Sequence, residues 1–255
     1  MELEYLNRVE FIYFNVFLRY FMVAGIAFSV FYLLFRNRYK WKKIQEKYPR
    51  GKDYAREIFY SAISIGIFSI IAWAVFIGPI REYNFLFSKI TAMPWWYYLI
   101  TFPLLFIVHD TYFYWTHRLM HHPRLFKIFH LIHHKSTNPS PWAAYAFHPL
   151  EAVVEAGILV VISFVIPTHV IFVGTFFLLS IIYNVYGHLG FELYPAGTDK
   201  HRVGKWLNTS VNHNMHHKYF DGNYGLYFTF WDRLMHTTHA KYHETFGEVT
   251  GRRVV

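Results

Sequence analysis

The sequence predicts an all-α protein: a multi-pass membrane helical bundle that carries a histidine-rich cap on its cytoplasmic side. Three observations lead there. Hydrophobic residues make up 54% of the 255 residues and charged residues only 16%, whereas a soluble domain carries about a quarter charged residues. Five apolar stretches reach or approach the roughly 20 residues that a helix needs to span a bilayer. There are 17 histidines and no cysteine, and the histidines crowd into short polar segments beside the apolar ones.

The first apolar stretch runs from Phe11 to Phe35 and is interrupted by Arg19. It is too long for a signal peptide and a basic block follows it, so it is expected to remain as an anchor. That block, Arg36 to Arg56, holds nine Lys or Arg against two acidic residues, which places it in the cytoplasm. The second stretch, Ile58 to Ile80, is closed by Gly78 and Pro79. The third starts at Trp95, runs to about His109 and continues as DTYFYWTHRLMHH. Its opening cluster, Trp95, Trp96, Tyr97 and Tyr98, suits the headgroup level. Leu150 to Ile166 and His169 to about His188 are joined through Pro167 and Thr168 only, which makes a tight hairpin. Threading these through a membrane leaves the linker 81–94 outside and brings 117–148 and 190–255 to the cytoplasmic face. No repeat, low-complexity linker or second domain is visible, so residues 1–255 are expected to form one membrane domain.

Composition limits the chemistry. Without cysteine there are no disulfides, thiolate nucleophiles or sulfur-ligated metals. Any metal must be held by imidazole and carboxylate. A net charge of +9 points to an anionic surface, and with this apolar content that surface is a membrane and not nucleic acid.

The histidines are spaced for a helix face, where residues three and four apart are neighbours. His117 and His121 are four apart. His130, His133 and His134 form H-x-x-H-H, and His213, His216 and His217 repeat that spacing. Neutral imidazole is the commonest metal ligand. Eight imidazoles are too many for one tetrahedral zinc, which takes four; eight or nine would fill two metal sites. An all-nitrogen set leaves iron, zinc, copper and nickel open. A zinc-dependent membrane hydrolase would want H-E-x-x-H, and the His243-Glu244 pair lacks its second histidine. A histidine-rich metal transporter would place its ligands near the bilayer midplane, whereas these boxes lie outside the apolar runs.

H-R-L-M-H (117–121), H-L-I-H-H (130–134) and H-N-M-H-H (213–217) resemble the three histidine boxes of the fatty acid hydroxylase/sterol desaturase superfamily. D-T-Y-F-Y-W-T-H-R (110–118), A-F-H-P-L-E (146–151), Y-G-H-L-G-F-E-L (186–193) and N-Y-G-L-Y-F-T-F-W-D-R-L (223–234) are similar to its surrounding segments. The likeness covers roughly Leu105 to Thr238. It implies a membrane enzyme that uses two iron ions and O2 to hydroxylate or desaturate a lipid, with zinc able to substitute for the iron. The implied ligands are His117, His121, His130, His133, His134, His188, His213, His216 and His217. Asn184 stands where some members carry a tenth histidine, and His236 stands where glycine is expected. Asn184, Asp110, His148 and His236 are further candidates for weak or supporting roles. With no haem-binding His-Pro-Gly-Gly motif, electrons are expected from a separate cytochrome, ferredoxin or reductase.

Several finer expectations follow. Asp110 lies seven residues before His117 and shares its helix face; His109 is expected to pair with Asp110. Glu151, Glu192, Asp221 and Asp232 are available to orient ligands. Trp142, Phe147, Tyr186 and Tyr224 are candidate walls of a substrate pocket. Arg118 and Arg124 are candidates for lipid phosphates. The lack of an ER-retrieval signal favours a bacterial inner membrane over the ER.

Overall fold

The computed structural model describes residues 2–252. It is helical throughout, in the order α1 (Glu2–Phe28), α2 (Gly51–Phe76), α3 (Trp95–Met120), α4 (Pro123–Phe129), α5 (Leu131–His134), α6 (Pro149–Val165), α7 (Val170–Gly187), α8 (Ser210–Tyr219), α9 (Phe230–Leu234) and α10 (Tyr242–Thr250). A π-helical stretch, Ser29–Leu34, extends α1. The only sheet among the described residues is a two-residue parallel pair, β1 (Leu86–Phe87) with β2 (Thr168–His169).

Among the described residues, three helical stretches are long and apolar enough to cross a membrane: Arg8–Leu34, Gly51–Phe76 and Val170–Gly187. The other two expected spans differ for physical reasons. α3 has 26 residues, but its second half carries the polar DTYFYWTHR run that enters the site. α6 has 17, about 25 Å at 1.5 Å per residue, and presents buried Glu151 at its start. Outward faces stay apolar: Phe11, Phe59, Leu99 and Ile171 are each more than 60% exposed, as suits helices facing lipid tails.

The linker expected outside the membrane does reach the α6–α7 hairpin, since β1 pairs with β2 at the hairpin tip. His169 caps α7 there, accepting from the Ile171 N–H at 3.1 Å, with its Nε2 2.8 Å from the Ser88 carbonyl. Apolar packing joins the helices between this end and the histidines: Leu105, Ile158, Ile162 and Phe176 form one cluster, and Val75, Leu86, Leu159 and Val173 another.

At the opposite end the loop between α5 and α6 is tied down. The Trp142 carbonyl accepts from Tyr20 at 2.8 Å and from Ser61 at 3.0 Å, and Ser140 donates to Glu57. Tyr32, in the π-helical stretch, donates to the Leu189 carbonyl at 2.8 Å, next to His188. α8 is a polar helix, yet Ser210 to His217 are all buried. Thr209 caps its start by accepting from the Asn212 N–H at 3.0 Å.

Candidate metal centre

The nine histidines converge in two groups. His117, His121, His130, His134 and His216 form one; His133, His188, His213 and His217 form the other. Within each group, one ring nitrogen from every member lies within 4.8 Å of the rest. Helix geometry makes the division. Residues four apart share a face, so His117 of α3 and His121 at its C-terminal cap join the first group together, as do His130 and His134 beside them. His133 lies about 100° round from His134 and joins the second. α8 does the reverse: His213 and His217 enter the second group and His216 the first. His188 arrives from the C-terminal end of α7.

The spacing fits metal ions. In the second group the Nε2 atoms of His188 and His213 are 3.0 Å apart, His188 and His217 3.1 Å, His213 and His217 3.2 Å, and His188 and His133 3.3 Å. In the first, His117 and His130 are 2.9 Å apart and His121 and His134 3.1 Å. Ligand nitrogens about 2.1 Å from a shared ion, at right angles to one another, lie about 3 Å apart. Hydrogen bonds do not account for this crowding. A ring nitrogen carries one proton or one lone pair, yet the His188 Nε2 has three nitrogens around it. The His216 Nε2 is buried with no hydrogen-bond partner among the described residues.

The opposite edges of several rings are held so that Nε2 keeps its lone pair. Nδ1 of His117 donates to the Tyr224 carbonyl at 2.9 Å, that of His188 to the Asn184 carbonyl at 2.8 Å, and that of His216 to the Gly222 carbonyl at 2.7 Å. Nδ1 of His130 meets Glu151 Oε1 at 2.5 Å. Such contacts orient metal-binding imidazoles. Burial, and then the neighbouring imidazoles, push His130, His133, His134, His213, His216 and His217 well below the usual histidine range. Burial lowers His188 to about 4, against the opposing pull of its bond to Asn184. Burial thus favours the neutral ring, the form that binds a metal.

The remaining candidates fall elsewhere. Asp110 accepts from the main-chain N–H of Tyr227 at 2.7 Å and of Phe228 at 3.1 Å, which pins the segment before α9 to α3. His109 pairs with the Tyr227 hydroxyl at 2.9 Å, not with Asp110. Asn184 donates its amide to the Ala144 carbonyl at 2.7 Å; its link to the cluster is its own carbonyl on His188. His148 caps α6, accepting from the Leu150 N–H at 3.3 Å, and so fixes the helix that carries Glu151. His122 caps α4 in the same way. His236 is exposed and has φ +55°, a conformation that favours glycine. Glu192 accepts from Tyr186, Tyr194 N–H and Val211 N–H. Asp232 accepts from the N–H groups of Tyr224 and Gly225 and from Thr237, and burial raises its pKa to about 6. Arg118 donates to the Tyr114 hydroxyl at 3.3 Å, and Arg124 is exposed.

A cavity of about 360 Å³ opens on the apolar side of the cluster. At its near end Phe147 packs on His133 with ring centres 5.0 Å apart and Phe113 on His117 at 4.9 Å. At its far end it is lined by Phe11, Ile12 and Val173. Val173 precedes His188 by 15 residues, about 22 Å along α7. Of the four wall candidates only Phe147 lines this cavity. Tyr224 packs on His121 and His216, Tyr186 binds Glu192, and Trp142 packs on Tyr20. Sequence reasoning passed over Glu155, the second carboxylate of the apolar run LEAVVEAGILVV, which lines the cavity.

Comparison with known proteins gives the family. The fatty acid hydroxylase family model matches residues 102–237, just over half of the chain. A Δ(7)-sterol 5(6)-desaturase from Gibberella zeae is 30% identical over 216 residues, covering 83% of this chain and 65% of the relative. Lathosterol oxidase from Rattus norvegicus is 33% identical over 183 residues, covering 71% and 59%, and that from Homo sapiens 30% over 181 residues, covering 70% and 59%. The chain thus spans about six tenths of the length of these relatives. No solved structure matches it.

Proposed function

The chain belongs to the fatty acid hydroxylase family, and from that premise we propose that it is a membrane-bound di-iron oxidoreductase that uses O2 to hydroxylate or desaturate a sterol-type lipid. The observation that carries the reading is the pair of all-histidine groups packed behind Phe113 and Phe147, which line one end of a long apolar cavity. The five-histidine group would hold one iron and the four-histidine group the other, with zinc able to substitute. Two such ions would supply the oxygen chemistry that side-chain acids and bases cannot bring to an unactivated C–H bond. A separate cytochrome, ferredoxin or reductase would supply the electrons.

The protein's own part is placement and exclusion of water. Phe147 and Phe113 stand between the cavity and His133 and His117, so a carbon delivered along the cavity comes up to an apolar wall backed by the imidazole cluster, with no layer of water. Glu151, Tyr224, Asn184 and Gly222 hold four rings from behind, which fixes the ligand directions before any ion binds. The long lining between the membrane helices suits a rigid, mostly hydrocarbon body. The names of the relatives favour a sterol over a fatty acyl or sphingoid substrate.

The reading also puts the histidine cluster on the cytoplasmic face. The basic segment 36–56 packs against that end: Arg56 donates to the Lys135 carbonyl and Gln45 to Asn214. The relatives named above are eukaryotic and lend no support to the bacterial inner membrane that the sequence alone favoured.

The test is comparison of wild type with His133→Ala in a host whose lipids are profiled, with iron per chain and O2 uptake measured on the purified protein. Wild type should carry two irons per chain, consume O2 with a reductant and a sterol, and produce a sterol with one added oxygen or double bond that the variant does not make. A single zinc per chain with no O2 uptake under any reductant would overturn the reading in favour of a hydrolase or a metal transporter.

A further inference from the structure

The cavity is apolar except for a few side chains, and one of them has no counterpart in the protein. Glu155 stands on α6 one turn after Glu151 and lines the cavity. Its carboxyl makes no hydrogen bond or ion pair among the described residues. An ionisable group at membrane depth is costly unless something meets it. Glu151, by comparison, is fully buried and reaches His130 at 2.5 Å. Glu155 faces the open space instead, and it is only partly covered by its neighbours.

A second polar atom faces the same space. His109 lines the cavity from α3, two turns before His117. Its Nδ1 is taken by the Tyr227 hydroxyl, and its Nε2 has no partner among the described residues. Two helices therefore bring unsatisfied polar groups to one apolar cavity, the pattern by which ligand pockets fix orientation. The other charged group on the wall, Arg19, is exposed and donates to the Gly174 carbonyl at 3.5 Å, far from the histidines.

Resting on the sterol-lipid reading above, we propose that Glu155 binds the hydroxyl group of the substrate and sets which carbon reaches the histidine cluster. Four helical residues separate Glu155 from Glu151, an axial rise of about 6 Å. Glu151 touches His130, so a hydroxyl bound at Glu155 lies toward the histidine end of the cavity and close to the carbons presented there, not at the far end of an acyl chain. A sterol meets that condition, because its hydroxyl sits on the same ring system as the carbons to be oxidised. A fatty acyl chain oxidised far from its head group does not. His109 Nε2 is positioned to take part as the second polar contact.

The probes are 5α-cholest-7-en-3β-ol and its 3-deoxy analogue, 5α-cholest-7-ene. Their dissociation constants are measured on the iron-loaded full chain in nanodiscs, for wild type, Glu155→Leu, Glu155→Gln and Arg19→Gln. Wild type should prefer the alcohol at least about tenfold, since a buried polar group left unpaired by the analogue is penalised. Glu155→Leu should bring the ratio to about one while leaving the affinity for the hydrocarbon and the iron content unchanged. Glu155→Gln, which keeps a hydrogen-bonding group, should retain part of the preference, and Arg19→Gln all of it. A wild-type ratio near one, or a ratio that survives Glu155→Leu, would overturn the proposal. Turnover is read separately: a hydroxyl preference that depends on Glu155, with no O2-dependent product from the alcohol, would count against the oxidase reading and not against the binding site.

Discussion

His133 and His134 are adjacent in the chain, yet their rings stand 89° apart and serve different groups. His133 faces His188, His213 and His217, whereas His134 faces His121 and His216. The two histidine groups, proposed above to hold one ion each, are therefore joined through one peptide bond, and removing either ring should have an unequal effect.

His133→Ala leaves the four-histidine group with three imidazoles, and metal content should fall from about two ions per chain toward one. His134→Ala leaves the other group with four, a complete set for a tetrahedral ion. That variant should keep about two ions per chain and lose them sooner to a chelator. Metal analysis after dialysis against graded chelator separates the outcomes; identical loss in both variants would contradict the division.

Glu151 meets the Nδ1 of His130, whose Nε2 faces His117. Replacing it with alanine should weaken metal binding about 10–100-fold, the usual effect of losing the partner of a ligating histidine. Glu151→Gln still offers an oxygen acceptor and should lie between alanine and wild type. Chelator competition measures the order.

His236 occupies a left-handed backbone position, φ +55°, and its side chain is exposed. His236→Gly should stabilise the fold by about 0.5–1 kcal/mol by relieving that strain, with no change in metal content. A rise in melting temperature at constant iron would support this; loss of metal would reveal a role for the imidazole.

Lys43 gives a pH-dependent prediction. It is 2% exposed, and its Nζ lies over the rings of Tyr48 at 4.9 Å and Phe191 at 5.1 Å with no hydrogen-bond partner among the described residues. Burial, helped by the nearby Arg36, lowers its pKa from 10.5 to about 8. Between pH 8 and 10.5 the unfolded chain keeps a proton that the folded chain gives up, so this group adds stability as pH rises through that window. Below pH 8 the buried ammonium carries its full cost, partly offset by the aromatic faces. Lys43→Met should raise stability at pH 7 by about 1–2 kcal/mol and remove the gain between pH 8 and 10.5. Thermal melts of both proteins across that range provide the check.

The helical class, the membrane helices and the histidine boxes were legible because each rests on local periodicity. Residues four apart share a face whatever surrounds them, and an apolar run long enough to span a bilayer is visible in composition alone. Asp110 shows where such reasoning stops. It does share a face with His117, but its partners are the main-chain N–H groups of Tyr227 and Phe228, more than a hundred residues away. Trp142 and Tyr186, expected at the pocket wall, are drawn instead into packing with α1 and into the Glu192 hydrogen bonds. Glu155 was visible as a carboxylate in an apolar run, but its opening onto a cavity depends on five helices meeting around it.

The sequence by itself determined the all-α membrane architecture and eight of the imidazoles, through charge patterning, hydrophobic length and the i, i+3, i+4 spacing; the ninth, His188, was implied by the family resemblance alone. The tertiary structure decided how those imidazoles divide. The H-x-x-H-H segment of α5 and that of α8 approach from different directions, so the same spacing sends two histidines to one group in the first case and two to the other in the second. Spacing fixes which side chains share a helix face; only the packing of one helix against another fixes what that face meets.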